Sequence, residues 1–154
     1  MTNGAIQLRK ATAADIEQLL PLVAAYHEFE QLDSTEQQRL SALNMLLSDK
    51  ALGGIWLVYS DEQLAGYIAL CRGFSIEFGG FDAFVDEFFL KERFRGEGLG
   101  TQVLHAIKAE ARDLAIQALH LEVARSNEPA KKLYSKVGFE ARDKYVLMSV
   151  YLDT

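Results

Sequence analysis

Cysteine is almost absent from this 154-residue chain: Cys71 stands alone, so no intramolecular disulfide can form and no oxidising compartment is needed. Histidine is nearly as scarce. His27, His105 and His120 fall at no spacing that would hold zinc together with a single thiol, so no metal is expected. Only two prolines occur, and no Pro/Gly/Ser-rich tract, repeat or low-complexity segment marks a linker. Long apolar runs are missing as well: the longest, Leu19 to Tyr26, is interrupted by Pro21 and falls far short of the ~20 residues of a membrane span. The opening residues, MTNGAIQLRK, have neither a basic n-region nor an apolar h-region, which argues against a secretory signal. The expectation is one soluble, cytoplasmic domain over residues 1–154 with no membrane partner.

What is present suffices for a core. The chain is 49% hydrophobic, and a domain of this size buries roughly 70% of the surface its unfolded chain exposes. Sixteen Lys+Arg against 22 Asp+Glu give a net charge of −6, which argues against nucleic-acid binding. Residues 1–100 carry 8 basic and 15 acidic side chains (8 − 15 = −7), and residues 101–154 carry 8 and 7 (+1). That asymmetry suits a protein meeting a cation on one side and an anion on the other; from charge alone, ordinary solubility is the simpler reading.

Ile6 and Leu8 alternate with polar residues and predict a short strand. Thr12 with Asp15 forms a variant capping box ahead of the helical stripe Ile16, Leu19, Leu20, Val23, Tyr26. Ser34 with Gln37 repeats the signal ahead of Leu40, Leu43, Leu46 and Leu47. Ile55–Tyr59 and Leu64–Cys71 read as a hairpin about Ser60-Asp61-Glu62. Phe74–Phe81 reads as a turn or loop leading into a central strand, Ala83–Leu90. A helix over 101–115, a strand over Leu119–Val123, a short helix opened by Asn127 and a last strand over Tyr145–Leu152 complete a mixed α/β (α+β) order.

The sharpest local feature is Arg95-Gly96-Glu97-Gly98-Leu99-Gly100, between a buried strand and a helix. Glycines there admit positive φ, and the first-turn N–H groups of a helix form a natural pyrophosphate cradle. A structural turn is one alternative. A dinucleotide fingerprint is another, with Glu122 as its ribose carboxylate, but the glycines fall as G-x-G-x-G rather than G-x-G-x-x-G. A P-loop fails because no Gly-Lys-Ser/Thr follows.

The run Arg95–Gly100 resembles the R-x-x-G-x-G motif of the Gcn5-related N-acetyltransferases (the GNAT family). Asn127-Glu128-Pro129-Ala130-Lys131-Lys132-Leu133-Tyr134-Ser135-Lys136-Val137-Gly138-Phe139 is similar to that family's N-x-x-A-x-x-L-Y-x-x-x-G-F segment. Val85-Asp86-Glu87-Phe88-Phe89-Leu90 resembles its central strand, most closely that of the diamine and polyamine acetyltransferases. The resemblance implies a mixed, mainly antiparallel sheet of about six to seven strands flanked by about four helices. It also implies direct transfer of acetyl from acetyl-CoA to an amine in a ternary complex, without metal, and a homodimer as a frequent assembly.

Residue by residue, the resemblance gives cofactor binding to Arg95, Gly96, Glu97, Gly98, Leu99 and Gly100. It has the pantetheine arm pair with the strand near Phe89 and Leu90, where a backbone N–H would polarise the thioester carbonyl. Asn127 matches a residue that caps its helix and contacts the cofactor, and Lys136 faces the cofactor phosphates. A lysine-like amine of pKa ~10.4 arrives protonated and needs a base. Asp86 and Glu87 are the candidates, since two acids on an apolar strand are costly unless paired or facing a cavity. Strand alternation sends them to opposite faces, so one is expected to reach the acceptor. Asp86 takes the position of the polyamine enzymes' proposed base, one methylene shorter than the usual glutamate, which favours a water relay. A strand-end salt bridge is the other reading of these acids. Tyr134 matches the general acid for the leaving thiolate, although it also lies on the apolar stripe of Ala130, Leu133 and Val137. Tyr26, Glu28, Phe29 and Glu30, with Glu77 and Asp82, are candidates for recognising a cationic amine; a solvated helix end is the alternative for the first four. Cys71 and the three histidines read as structural. The expected function is acetylation of a small cationic amine, with protein or peptide N-acetylation and a non-catalytic acyl-CoA sensor as alternatives.

Overall fold

The computed structural model describes residues 5–152. The chain divides into two compact units, Met1–Glu122 and Val123–Thr154.

The first unit is built on five strands in the order of the chain: β1 (Ile6–Lys10), β2 (Gly53–Ser60), β3 (Gln63–Ser75), β4 (Gly80–Leu90) and β5 (Ala118–His120). Neighbours are antiparallel except β4 and β5, which run parallel. Helices α1 (Ile16–Phe29) and α2 (Glu36–Ser48) connect β1 to β2, and α3 (Leu99–Asp113) connects β4 to β5.

Local chemistry accounts for the boundaries. Thr12 and Asp15 form the expected capping box, with the Asp15 carboxylate accepting from the Thr12 N–H at 2.8 Å, around a single 3₁₀ turn that feeds α1. Arg9 on β1 donates to the same carboxylate at 2.9 Å, and this bond, then the Thr12 N–H, holds Asp15 below the usual carboxylate range. The second box falls one residue later than its sequence signal, on Thr35 and Gln38, because the Ser34 hydroxyl is engaged by His27 and Arg39 instead. The β2–β3 hairpin closes through Asp61 (φ 48°) and Glu62 (φ 70°), opposite Ser60↔Gln63. Beyond Cys71 the expected loop is mostly strand. Phe74 meets Phe81 edge-on at 5.7 Å and Arg72 lies 3.7 Å over the Phe81 ring, so cross-strand pairs carry the hairpin out to the turn at 76–79.

One face of the sheet, with Ile55, Leu57, Tyr67, Ala69 and Phe89, packs against Leu19, Leu22 and Val23 of α1 and Leu43 of α2. Trp56, Val58, Ile68 and Leu70 alternate onto the other face and are equally buried. Along α3, Val103, Leu104, Ile107 and Ala111 form the buried stripe.

In the second unit Asn127 caps α4 (Glu128–Lys136), its Oδ1 accepting from the Ala130 N–H at 3.2 Å. Gly138, at φ 104°, follows the helix end. Five strands are present among the described residues, fewer than the six to seven expected. The missing strand is the last one, and the fifth is shorter than expected. β5 is three residues long, where Leu119–Val123 was expected, and Tyr145–Leu152 forms no ladder. Its aromatic and β-branched residues favour extended backbone, but a strand needs a neighbour, and Met148, Val150 and Tyr151 stand exposed. The four α-helices agree with expectation. No helix among the described residues is long and apolar enough to cross a membrane.

Candidate active site

The site begins with a fault in β4. Leu70 pairs with Val85 and Ala69 with Glu87, so Asp86 is an extra residue without a partner, a β-bulge. In an unbroken strand Val85 and Glu87 would share a face. Here their partners Leu70 and Ala69 point oppositely, so Glu87 is turned onto the α1/α2 face. Its Oε1 accepts from the Tyr67 hydroxyl at 2.8 Å, and its Oε2 lies 2.6 Å from His27 Nε2 of α1. Asp86 accepts a hydrogen bond from the Cys71 thiol. Tyr67 and Cys71 are four residues apart on β3 and share a face, so both acids serve the same side of the sheet. The expectation of opposite faces is thereby corrected, and the bulge is the cause.

These acids perturb their neighbours. Burial, then the charge of Glu87, pushes the Tyr67 phenol well above its ordinary value, so it stays a donor. Burial, then Asp86 and Glu87, pushes the Cys71 thiol up to about 11, which removes it as a nucleophile at neutral pH. Tyr26 stands edge-on to Tyr67 at 6.4 Å and to Phe89 at 6.2 Å, walling the same pocket of polar groups.

The other acceptor candidates scatter. Glu28, Phe29 and Glu30 are exposed at the end of α1, and Phe29 lies 4.9 Å from the Arg95 guanidinium. Glu77 sits in the β3–β4 turn. Asp82 pairs with His120 Nε2 at 3.0 Å, roughly 15 Å along β4 from Glu87 at about 3.4 Å per residue. Of the acceptor set, Tyr26 alone lies beside Glu87.

On its opposite edge β4 has no strand partner beyond Phe84 among the described residues. Its pairing with β5 covers only Asp82↔Ala118 to Phe84↔His120. The Lys91 N–H donates to Ala65 across the β3 ladder, so by alternation Phe89 also faces β3 while Phe88 and Leu90 face the open edge. Between the two candidates for polarising a carbonyl, Leu90 has its N–H on that edge and Phe89 does not. The Leu90 carbonyl is taken by Arg95 Nε at 2.8 Å. The Arg95 guanidinium also lies 5.3 Å over Phe89, so this arginine braces the end of β4. Gly96 and Gly98 both hold positive φ, 80° and 79°. Gly98 is the N-cap of α3 and no side chain among the described residues caps that helix, so the N–H groups of Leu99, Gly100 and Thr101 can meet a ligand or water. An open cleft of about 440 Å³ lies beside this loop, walled by Leu22, Ala25, Phe29 and Phe89, with Lys91 and Arg95 at its rim.

Asn127, Tyr134 and Lys136 belong to the second unit. There Tyr134 lies edge-on to Phe139 at 5.9 Å, and its carbonyl accepts the Phe139 N–H at 2.9 Å. Among the described residues no cluster of His, Cys, Asp and Glu is placed to hold a metal ion.

His27 and Tyr67 were missed by sequence reasoning. They lie 60 and 20 residues from Glu87, and nothing local in the chain links them.

Comparisons with known proteins agree with the fold. The family described as Acetyltransferase (GNAT) family matches residues 16–139. The uncharacterized N-acetyltransferase YycN of Bacillus subtilis (strain 168) is 41% identical over 68 residues, 44% of this chain and 42% of that protein. The chain therefore spans less than half the length of that relative. Among solved structures, an integron cassette protein, HFX_CASS3, from the mobile metagenome of Cole Harbour Salt Marsh has a TM-score of 0.83 at 32% identity, covering 96% of this chain and 92% of that one. A predicted acetyltransferase of Clostridium acetobutylicum, solved with acetyl-CoA, has a TM-score of 0.75 over 94% of this chain and 96% of its own. At 19% identity it shares the fold alone.

Proposed function

Because this chain belongs to the GNAT acetyltransferase family, we propose that it transfers the acetyl group of acetyl-CoA to the primary amine of a small cationic molecule by direct attack in a ternary complex. The observation that carries this reading is the open edge of β4 beyond Phe84, which ends beside an uncapped helix N-terminus. An elongated ligand with amide groups at one end and a pyrophosphate at the other fits that pair of features. The amides suit the free strand edge, and the anion suits the N–H groups after Gly98. Bound there, acetyl-CoA supplies an activated acetyl thioester.

The chain's own residues do the rest. The Leu90 N–H faces the open edge and can donate to an acyl oxygen that gains charge. The Asp86/Glu87 pair attracts an ammonium group and takes its proton, since a protonated amine has no lone pair to attack with. Tyr134 is assigned the return of a proton to the departing thiolate. Cys71, protonated and held to Asp86, has no covalent part.

Two carboxylates on one face, in the acidic part of the chain, favour a cationic acceptor, and the likeness of the central strand to the diamine and polyamine enzymes points the same way. The test is a panel of polyamines, neutral amines, acidic amines and peptides, with acetyl-CoA and free thiol as the readout. Polyamines should turn over fastest. Preference for peptides would move the function to protein acetylation, and thiol release with none of them would leave acyl-CoA binding alone.

A further inference from the structure

Glu87 is held from two sides, by donors on different elements. Tyr67 of β3 donates to Oε1 at 2.8 Å. A carboxylate can only accept, so His27 of α1 presents Nε2–H to Oε2, at 2.6 Å. With the proton on Nε2, Nδ1 accepts from the Ser34 hydroxyl at 2.7 Å, and that oxygen accepts from Arg39 Nη1 of α2 at 3.0 Å. Arg39 also donates to the Ser34 carbonyl at 2.7 Å, which fixes the loop that carries the hydroxyl. Donors thus point one way, from Arg39 through Ser34 and His27 to Glu87. The His27 and Glu87 side chains keep only 16% and 19% of their exposure, so water competes weakly for these bonds. Asp86, by contrast, is exposed and bonded through the Cys71 thiol.

We propose that Glu87 is the proton acceptor for the incoming amine and that His27 is its positioning residue, holding the carboxylate toward the bulge through the Arg39–Ser34–His27 chain. The inference rests on the acetyl-transfer reading. A carboxylate with a donor on each oxygen loses rotamer freedom, which serves a base that must be in place before the ammonium arrives. The charged and titratable groups around it are His27 and Tyr26 of α1, Tyr67 and Cys71 of β3, and Asp86 of β4, with Arg39 of α2 behind Ser34. Asp86 repels a second negative charge, which makes the two donors on Glu87 more important.

The test compares wild type with His27→Gln, which keeps an N–H where Nε2 lies, and His27→Phe, which keeps the ring and removes the donor. Carboxyl carbons are labelled with ¹³C-glutamate, and the Glu87 signal is assigned by its loss in Glu87→Gln. The Glu87 carboxyl ¹³C signal, read at neutral pH, should move in His27→Phe and stay at the wild-type position in His27→Gln, because the first loses the donor and the second keeps it. With the fastest amine of the panel, kcat should fall roughly tenfold or more in His27→Phe and recover in His27→Gln, with the KM for acetyl-CoA unchanged. Coincident Glu87 signals in all three proteins would overturn the proposal, as would wild-type turnover in His27→Phe. The spectrum needs no acceptor, so it decides the coupling even where the panel refutes acetyl transfer.

Discussion

Cys71 should alkylate slowly. Its thiol is pushed up to about 11, chiefly by burial and then by Asp86 and Glu87. At pH 8, an ordinary cysteine of pKa ~8.5 is ~24% thiolate, whereas a thiol at about 11 is ~0.1%, a ratio of roughly 240. The more basic thiolate is intrinsically the better nucleophile: a Brønsted slope of ~0.4–0.5 over ~2.5 units returns roughly tenfold. Folded protein should therefore react with iodoacetamide roughly 20-fold more slowly than the same protein in denaturant, before any shielding is counted. Intact-mass spectrometry of timed samples follows the single site. Asp86→Asn removes the nearer negative charge and should quicken alkylation of the folded protein. A folded-state rate equal to or above the denatured one would refute the placement of the thiol beside two acids. An acetyl group found on Cys71 after incubation with acetyl-CoA alone would refute direct attack.

Three further outcomes are expected. Acetyl-CoA should stabilise the protein by about 2.7 kcal/mol at a hundredfold excess over Kd, seen as a rise in Tm that NAD and ATP do not give. Gly98→Val should abolish that rise, since Gly98 sits at φ 79° where a β-branched residue is strained, and an undiminished shift would remove the loop from the binding site. Tyr134→Phe should lower kcat by roughly 10²-fold with acetyl-CoA affinity little changed; wild-type kcat under chemistry-limited conditions would leave Tyr134 a packing residue. Asp15 is held below the usual range by Arg9 and Thr12, so its contribution is complete above the unfolded pKa of ~3.9 and is lost as pH falls through the lower folded value. In urea melts, the gap between wild type and Asp15→Asn should accordingly be flat above about pH 5 and shrink on acidification, and a gap that widens in acid would contradict the assignment.

The sequence disclosed what is decided locally. The Thr12–Asp15 box, the turn at Asp61-Glu62 and the Asn127 cap all depend on residues within a few positions of each other and stand where their signals predict, while α3 begins at Leu99, two residues before the expected 101. The second box moved by one residue because Ser34 found partners outside its own turn. Asp86 and Glu87 were recognisable as unusual acids, but their common face was not, because a bulge is decided by how β3 lies alongside β4. The same holds for His27 and Tyr67, which approach Glu87 only when α1 packs on the sheet. The Tyr145–Leu152 segment has strand composition without a strand, since propensity describes the backbone of one segment and pairing needs two.

The hairpin between β2 and β3 has a consequence for engineering. Its two-residue loop places Asp61 and Glu62 both in the left-handed region, at φ 48° and 70°, where a glutamate side chain crowds the following carbonyl. Asn-Gly is the pair that such a loop accommodates most easily. The double substitution Asp61→Asn/Glu62→Gly should therefore raise the melting temperature while leaving β4, the bulge and the helix caps untouched. A protein so reinforced should tolerate destabilising changes around Tyr26, Asp86 and Glu87 better than the natural chain does. This small turn is thus the place from which to begin redirecting acceptor choice.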